Sequence, residues 1–138
     1  MSNQKALFPR SRVLVVEDQP IVAQILVELL EADGHEVDIS ANGLLALDRI
    51  EARPYDLIIS DLRMPKLDGV GLYREIERRQ PELLSRVLFV SGSADLLEYS
   101  RLVAETAVPV LAKPFALADL QRLTQQVLSA PGPAPART

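Results

Sequence analysis

Five short apolar runs, separated by longer amphipathic stretches, constrain this chain more than any other feature. Val13 to Val16 is uninterrupted aliphatic sequence, and so are Leu57 to Ile59 and Val87 to Val90. A run of this kind has no polar face, so it reads as a strand buried on both sides. Glu36 to Ser40 alternates polar and apolar residues, as a strand nearer a sheet edge would. Val108 to Ala112 reads as a fifth strand, interrupted by Pro109.

The stretches between them carry helical periodicity. Pro20 to Asp33 places Ile21, Val22, Ile25, Leu26, Leu29 and Leu30 at helical spacing, with Gly34 as the stop. Gly43 to Glu51 carries Leu44, Leu47 and Ile50, and Pro54 closes it. Met64-Pro65 and Asp68-Gly69 mark a loop before a helix over Val70 to Arg79, with Leu72 and Ile76 inward. Ala94 to Glu105 is a weaker helix. Leu117 to Leu128 ends the pattern, with Leu117, Leu120, Leu123, Val127 and Leu128 on one face.

Five βα units in a chain of 138 residues predict an α/β fold with right-handed crossovers. The expected architecture is a flavodoxin-like (βα)5 doubly wound parallel sheet of strand order 2-1-3-4-5. One domain is expected over residues 11–129. Residues 1–10 read as a flexible lead, and residues 130–138, with three prolines in APGPAPART, as a Pro/Ala-rich tail.

Composition removes other classes. The chain has no Cys and one His, which excludes thiolate zinc, iron–sulfur and disulfide frameworks. No apolar stretch is long enough to span a membrane, and Met1 to Arg12 shows no signal-peptide pattern. Fifteen Lys and Arg against nineteen Asp and Glu leave a formal charge of −4, which argues against nucleic-acid binding by this chain. A cytoplasmic protein is expected. His35 reads as a surface residue without a catalytic role.

In a doubly wound sheet, ligands sit beyond the carboxyl ends of the strands, near the switch point. Those ends carry Glu17-Asp18, Asp61, Ser91 and Lys113. At ~5 Å and an effective dielectric near 20, each pair of like charges repels by roughly 3 kcal/mol. Such a cluster calls for a cation or for protonation. Hard oxygen donors without His or Cys select Mg²⁺ or a similar ion. Three carboxylates, one divalent ion and one lysine sum to zero formal charge, leaving room for one anionic group. A carboxylate can attack phosphorus to give an acyl phosphate, and Ser91 could donate to a phosphoryl oxygen.

Rival sites lack their signatures. VEDQP (Val16 to Pro20) puts carboxylates where a dinucleotide site or P-loop places glycine amides. A haloacid-dehalogenase-type phosphatase needs two acids spaced two apart after strand 1, and Asp18 is followed by Gln19 and Pro20.

Four segments in order, VLVVEDQP (Val13 to Pro20), LIISDLRMPKLDG (Leu57 to Gly69), VLFVSGS (Val87 to Ser93) and VLAKPF (Val110 to Phe115), resemble the receiver domain of two-component response regulators. The resemblance covers roughly residues 11 to 129. It implies that Asp61 is the phosphoacceptor and that Asp18 ligates Mg²⁺, with Glu17 supporting it directly or through water. Asp61 itself and the backbone carbonyl of Arg63 complete the implied metal set. Ser91 matches the switch hydroxyl and Lys113 the lysine that pairs with the phosphoryl group, with a cis Lys113-Pro114 bond.

The implied partners are a histidine kinase or histidine phosphotransfer protein and a downstream protein target, with a homodimer left open. The implied role is a signalling module that assists its own phosphorylation and dephosphorylation, not a conventional enzyme. Val110 stands where the family commonly has a Tyr or Phe, and the segment Ala104 to Phe115 looks like receivers attached to hybrid sensor kinases. A phosphorelay intermediate and a hybrid-kinase receiver are therefore alternatives, with a non-phosphorylated pseudo-receiver behind them. Arg63, two residues after Asp61, is expected to put a guanidinium near the phosphoryl group or Glu17.

Overall fold

A computed structural model describes residues 11–129. The lead expected over 1–10 and the tail expected over 130–138 lie outside the described residues. The element order is β1 (Arg12–Val16), α1 (Pro20–Ala32), β2 (Glu36–Ser40), α2 (Gly43–Ala52), β3 (Leu57–Asp61), α3 (Gly69–Arg79), a 3-10 turn (Pro81–Arg86), β4 (Val87–Ser91), α4 (Ser93–Thr106), β5 (Val110–Ala112) and α5 (Leu117–Ser129). The strands form one parallel sheet in the order β2-β1-β3-β4-β5, as the sequence predicts.

Period-two alternation divides the core between the two faces of the sheet. Leu14, Val16, Ile58 and Phe89 point to the face covered by α2 and α3. Val13, Val15, Leu57, Ile59, Leu88 and Val90 point to the face covered by α1 and α5. Every residue of β3 and β4 is buried. Polar side chains in these strands can therefore reach solvent only at their ends.

Local signals set the helix boundaries. Asn42 caps α2 by accepting the Leu45 N–H at 2.9 Å, and Asp68 caps α3 by accepting the Gly71 N–H at 2.8 Å. Helix α1 opens on Pro20 and ends at Ala32, and two residues on Gly34 adopts a positive φ of 96°. There the Gly34 N–H bonds Glu31 O at 2.9 Å and the His35 N–H bonds Leu30 O at 3.2 Å, a Schellman pair.

That motif corrects the reading of His35. The residue after the left-handed glycine folds back over the last helical turn, so His35 is only 4% exposed. Burial lowers its pKa, against the pull of Asp33 and Asp56.

Three expected stripes are also narrower than their sequence suggests. At 100° per residue, Ala23, Leu26, Val27 and Leu30 share the inward face of α1, and Ile21 and Ile25 fall on the opposite one. Ile21 is 77% exposed. Leu44 likewise lies across α2 from Ala46 and Ile50 and is exposed. Leu117, the first residue of α5, lies at the end of its packed face and is exposed too. Strand β5 starts two residues later than expected, because Pro109 accepts a hydrogen bond from Phe89 but has no N–H to return.

Gly69 is fixed by close approach. A Cβ there would collide with the backbone carbonyl oxygen of Asp61. Its N–H bonds Leu62 O at 2.9 Å, folding the start of α3 against the end of β3. Gly69→Ala is expected to lower stability by about 1–3 kcal/mol, measured by urea unfolding. An unchanged midpoint would contradict this packing.

Candidate functional site

The parallel register brings the predicted residues to one edge. Val16 pairs with Ser60, Asp61 with Val90, and Ser91 with Ala112, so β1, β3, β4 and β5 end side by side. Glu17 extends β1 by one ladder bond, its N–H to Ser40 O at 3.0 Å. The Lys113 N–H bonds Ser91 O at 2.8 Å, tying the end of β5 to that of β4. The Lys113-Pro114 peptide bond is cis.

Glu17, Asp18 and Asp61 each offer a carboxylate oxygen within 4.8 Å of the others. Glu17 and Asp61 are buried, at 3% and 6% exposure, whereas Asp18 is exposed. Lys113 Nζ lies 3.3 Å from Asp61 Oδ2 and 3.4 Å from Glu17 Oε1. The second Glu17 oxygen accepts the Gln19 N–H at 3.2 Å. Asp61 Oδ1 is buried and accepts no hydrogen bond among the described residues.

Electrostatics follow from this crowding. Burial first, then the Asp61 charge, pushes the Glu17 carboxyl up to about 7, with Lys113 pulling the other way. Burial lowers the Lys113 pKa, but the Asp61 and Glu17 carboxylates outweigh it and raise it overall. Lys113 therefore stays an ammonium. A buried oxygen without a hydrogen bond, set among oxygen donors only, is a site chemistry that suits a hard divalent cation.

Two predicted residues are turned differently. Ser91 is fully buried at the end of β4, and its hydroxyl donates to Gly92 O at 3.2 Å. Arg63 is exposed, and its guanidinium carbon lies 5.8 Å from the centre of the Tyr99 ring on α4. The sequence places Tyr99 only on the face around α4 and α5 and does not show its bond to Asp68, because that hydroxyl and carboxylate meet across 31 residues.

A cavity of about 360 Å³ lies at the other end of the sheet, beside the amino ends of β4 and β5. Tyr73, Leu84, Val87, Thr106 and Val127 help to line it, and no carboxylate, lysine or histidine does. It lacks the groups for phosphoryl chemistry.

The family profile described as the response regulator receiver domain matches residues 13–125. This chain belongs to that family. The receiver is 33% identical over 119 residues to the response regulator receiver protein CpdR of Brucella abortus, covering 86% of this chain and 98% of that protein. It is 34% identical over 118 residues to the sensor kinase CckA of the same organism, covering 84% of this chain and only 12% of the kinase.

Among solved structures, the receiver domain of the sensor histidine kinase PA1611 from Pseudomonas aeruginosa matches with a TM-score of 0.73 and 32% identity. That match covers 87% of this receiver and 98% of that chain, which holds a magnesium ion in its active-site cleft. The NtrX receiver domain from Brucella abortus matches with a TM-score of 0.79 and 26% identity, over 86% of this receiver and 99% of that chain.

The Glu17 carboxyl gives this receiver a measurable pH signature. The folded chain keeps a proton up to about pH 7 that the unfolded chain releases near 4.5. This group's contribution therefore favours folding at low pH and is lost as pH rises through that window. In chelator, Glu17→Gln is expected to shrink the stability lost between pH 5 and 8 by up to roughly 3 kcal/mol. Denaturation curves at the two pH values check this, and an unchanged pH dependence would contradict it.

Proposed function

We propose that this receiver accepts a phosphoryl group on Asp61 and signals through protein contacts. The observation that carries the reading is the convergence of Glu17, Asp18 and Asp61 with Lys113 bridging two of them. The donor is a phosphohistidine on a histidine kinase or histidine phosphotransfer protein. An Asp61 oxygen forms the new O–P bond as the P–N bond breaks, and the electron pair leaves with the imidazole nitrogen. The product is an acyl phosphate. Water later attacks its phosphorus, releasing inorganic phosphate and restoring the carboxylate.

Asp18, Asp61 and the Arg63 carbonyl would hold Mg²⁺, with Glu17 assisting directly or through water. When bound, the ion offsets charge on the phosphoryl oxygens. Lys113 supplies a fixed positive charge beside Asp61, and burial strengthens that interaction. Ser91 donates to Gly92 O in this structure. Turning that hydroxyl toward a phosphoryl oxygen would move the β4–α4 junction, a local event with a two-state readout.

The receiver thus assists its own phosphorylation and reset and is not a conventional enzyme. Its output is a downstream protein target in the cytoplasm, without nucleic-acid or membrane binding by this chain. No helix among the described residues is long and apolar enough to cross a membrane.

A second reading, a phosphorelay intermediate or hybrid-kinase receiver, is favoured by Val110 and by similarity to the sensor kinases CckA and PA1611. Return of the phosphoryl group from Asp61 to a purified histidine phosphotransfer protein would select it.

Incubation with acetyl phosphate and Mg²⁺, followed by intact-protein mass spectrometry, tests the main reading. Wild type is expected to gain the mass of one phosphoryl group and Asp61→Asn none. Absence of the adduct on wild type would favour the pseudo-receiver.

A further inference from the structure

One aromatic ring joins α4 to both ends of the loop that follows Asp61. Tyr99, in the second turn of α4, donates its hydroxyl hydrogen to Asp68 Oδ2 at 2.9 Å. The other Asp68 oxygen caps α3 through the Gly71 N–H. The Arg63 guanidinium carbon lies 5.8 Å from the centre of the same ring. Tyr99 is half-buried and packs against the core on the α2 and α3 face. Arg63 follows the phosphoacceptor by two residues and Asp68 begins α3, so the loop is held at two points by one side chain.

We propose that Tyr99 is a positioning residue that ties α4 to the β3–α3 loop, so that loading of Asp61 is passed to α4 through that loop. The proposal rests on the reading of Asp61 as phosphoacceptor. The Arg63 carbonyl belongs to the metal set proposed above, so loading the pocket restrains the Arg63 backbone. The guanidinium over the Tyr99 ring and the carboxylate bonded to its hydroxyl carry that restraint to α4. Both contacts are charge-assisted and directional, which makes them sensitive to a small shift of the loop. Val110 leaves β5 without an aromatic ring for this task. The tether lies on a different element and needs no ring there.

Hydrogen exchange of the full chain reads the tether directly. Without ligand, Tyr99→Leu, which loses the hydrogen bond to Asp68 and the contact with Arg63, is expected to speed exchange in α4 and in residues 62–68 together by about fivefold. Arg63→Ala, which loses only the cation–ring contact, is expected to speed it by about twofold. The double variant should add little to the larger single effect, because both changes remove one shared contact. Independent, additive effects would overturn the proposal.

With beryllofluoride and Mg²⁺ as a stand-in for the phosphoryl group, wild type should slow exchange in both segments. Tyr99→Leu should still show the bound fluorine NMR signal yet slow exchange in the loop alone. Tyr99→Phe, which keeps the ring and loses the hydroxyl, should retain part of the α4 response. A full α4 response in Tyr99→Leu would overturn the tether. If Tyr99→Leu loses helix content by circular dichroism, Tyr99→Phe carries the same comparison. Failure of wild type to bind beryllofluoride would overturn the phosphoacceptor reading instead, and the ligand-free comparison then decides the tether.

Discussion

Three carboxylates crowd the carboxyl edge of the sheet, and one ammonium stands between two of them. Lys113 lies 3.3 Å from Asp61 and 3.4 Å from Glu17, so it offsets part of their charge. Burial, and then the neighbouring Asp61 charge, pushes the Glu17 carboxyl up to about 7, and one Asp61 oxygen is buried without a hydrogen bond among the described residues. An arrangement of this kind works against the metal-free fold. It is held in place by strand register, which no single side chain can relax.

The rest of the fold supplies that rigidity. Strands β3 and β4 are buried along their whole length and share their ladder with β1 and β5. A core with alternate residues packed on both faces leaves the strand ends nowhere to move. Asp61 is the last residue of β3, and Gly69 seals the carbonyl behind it at backbone contact. The proposed phosphoacceptor is thus mounted on a strand buried along its whole length. The loops and α4 around it are joined by side-chain contacts that can rearrange.

The apolar runs made the sheet legible before any coordinates. Buried parallel strands tolerate polar residues only at their ends, so Glu17, Asp61, Ser91 and Lys113 stood out in the sequence. Side-chain direction was not legible. Ile21 and Ile25 share a helix with the buried Leu26 and Leu30 yet face the other way, because hydrophobicity alone does not say which side of α1 meets the sheet. His35 is buried by a backbone motif that begins at Leu30. The Ser91 hydroxyl turns to Gly92 O, and Arg63 settles against Tyr99, through choices made by tertiary packing. Pro109 shortened β5 by withholding one donor, a local rule that the apolar pattern overrode.

Magnesium titration against thermal unfolding, at constant ionic strength, measures the central imbalance most directly. If the acidic edge is built for a divalent ion, wild type should gain about 2.7 kcal/mol at a hundredfold excess over the dissociation constant. Asp18→Asn, which removes the exposed carboxylate of the cluster, should gain far less at the same concentration. Equal stabilisation of both proteins, or none of wild type, would contradict the account.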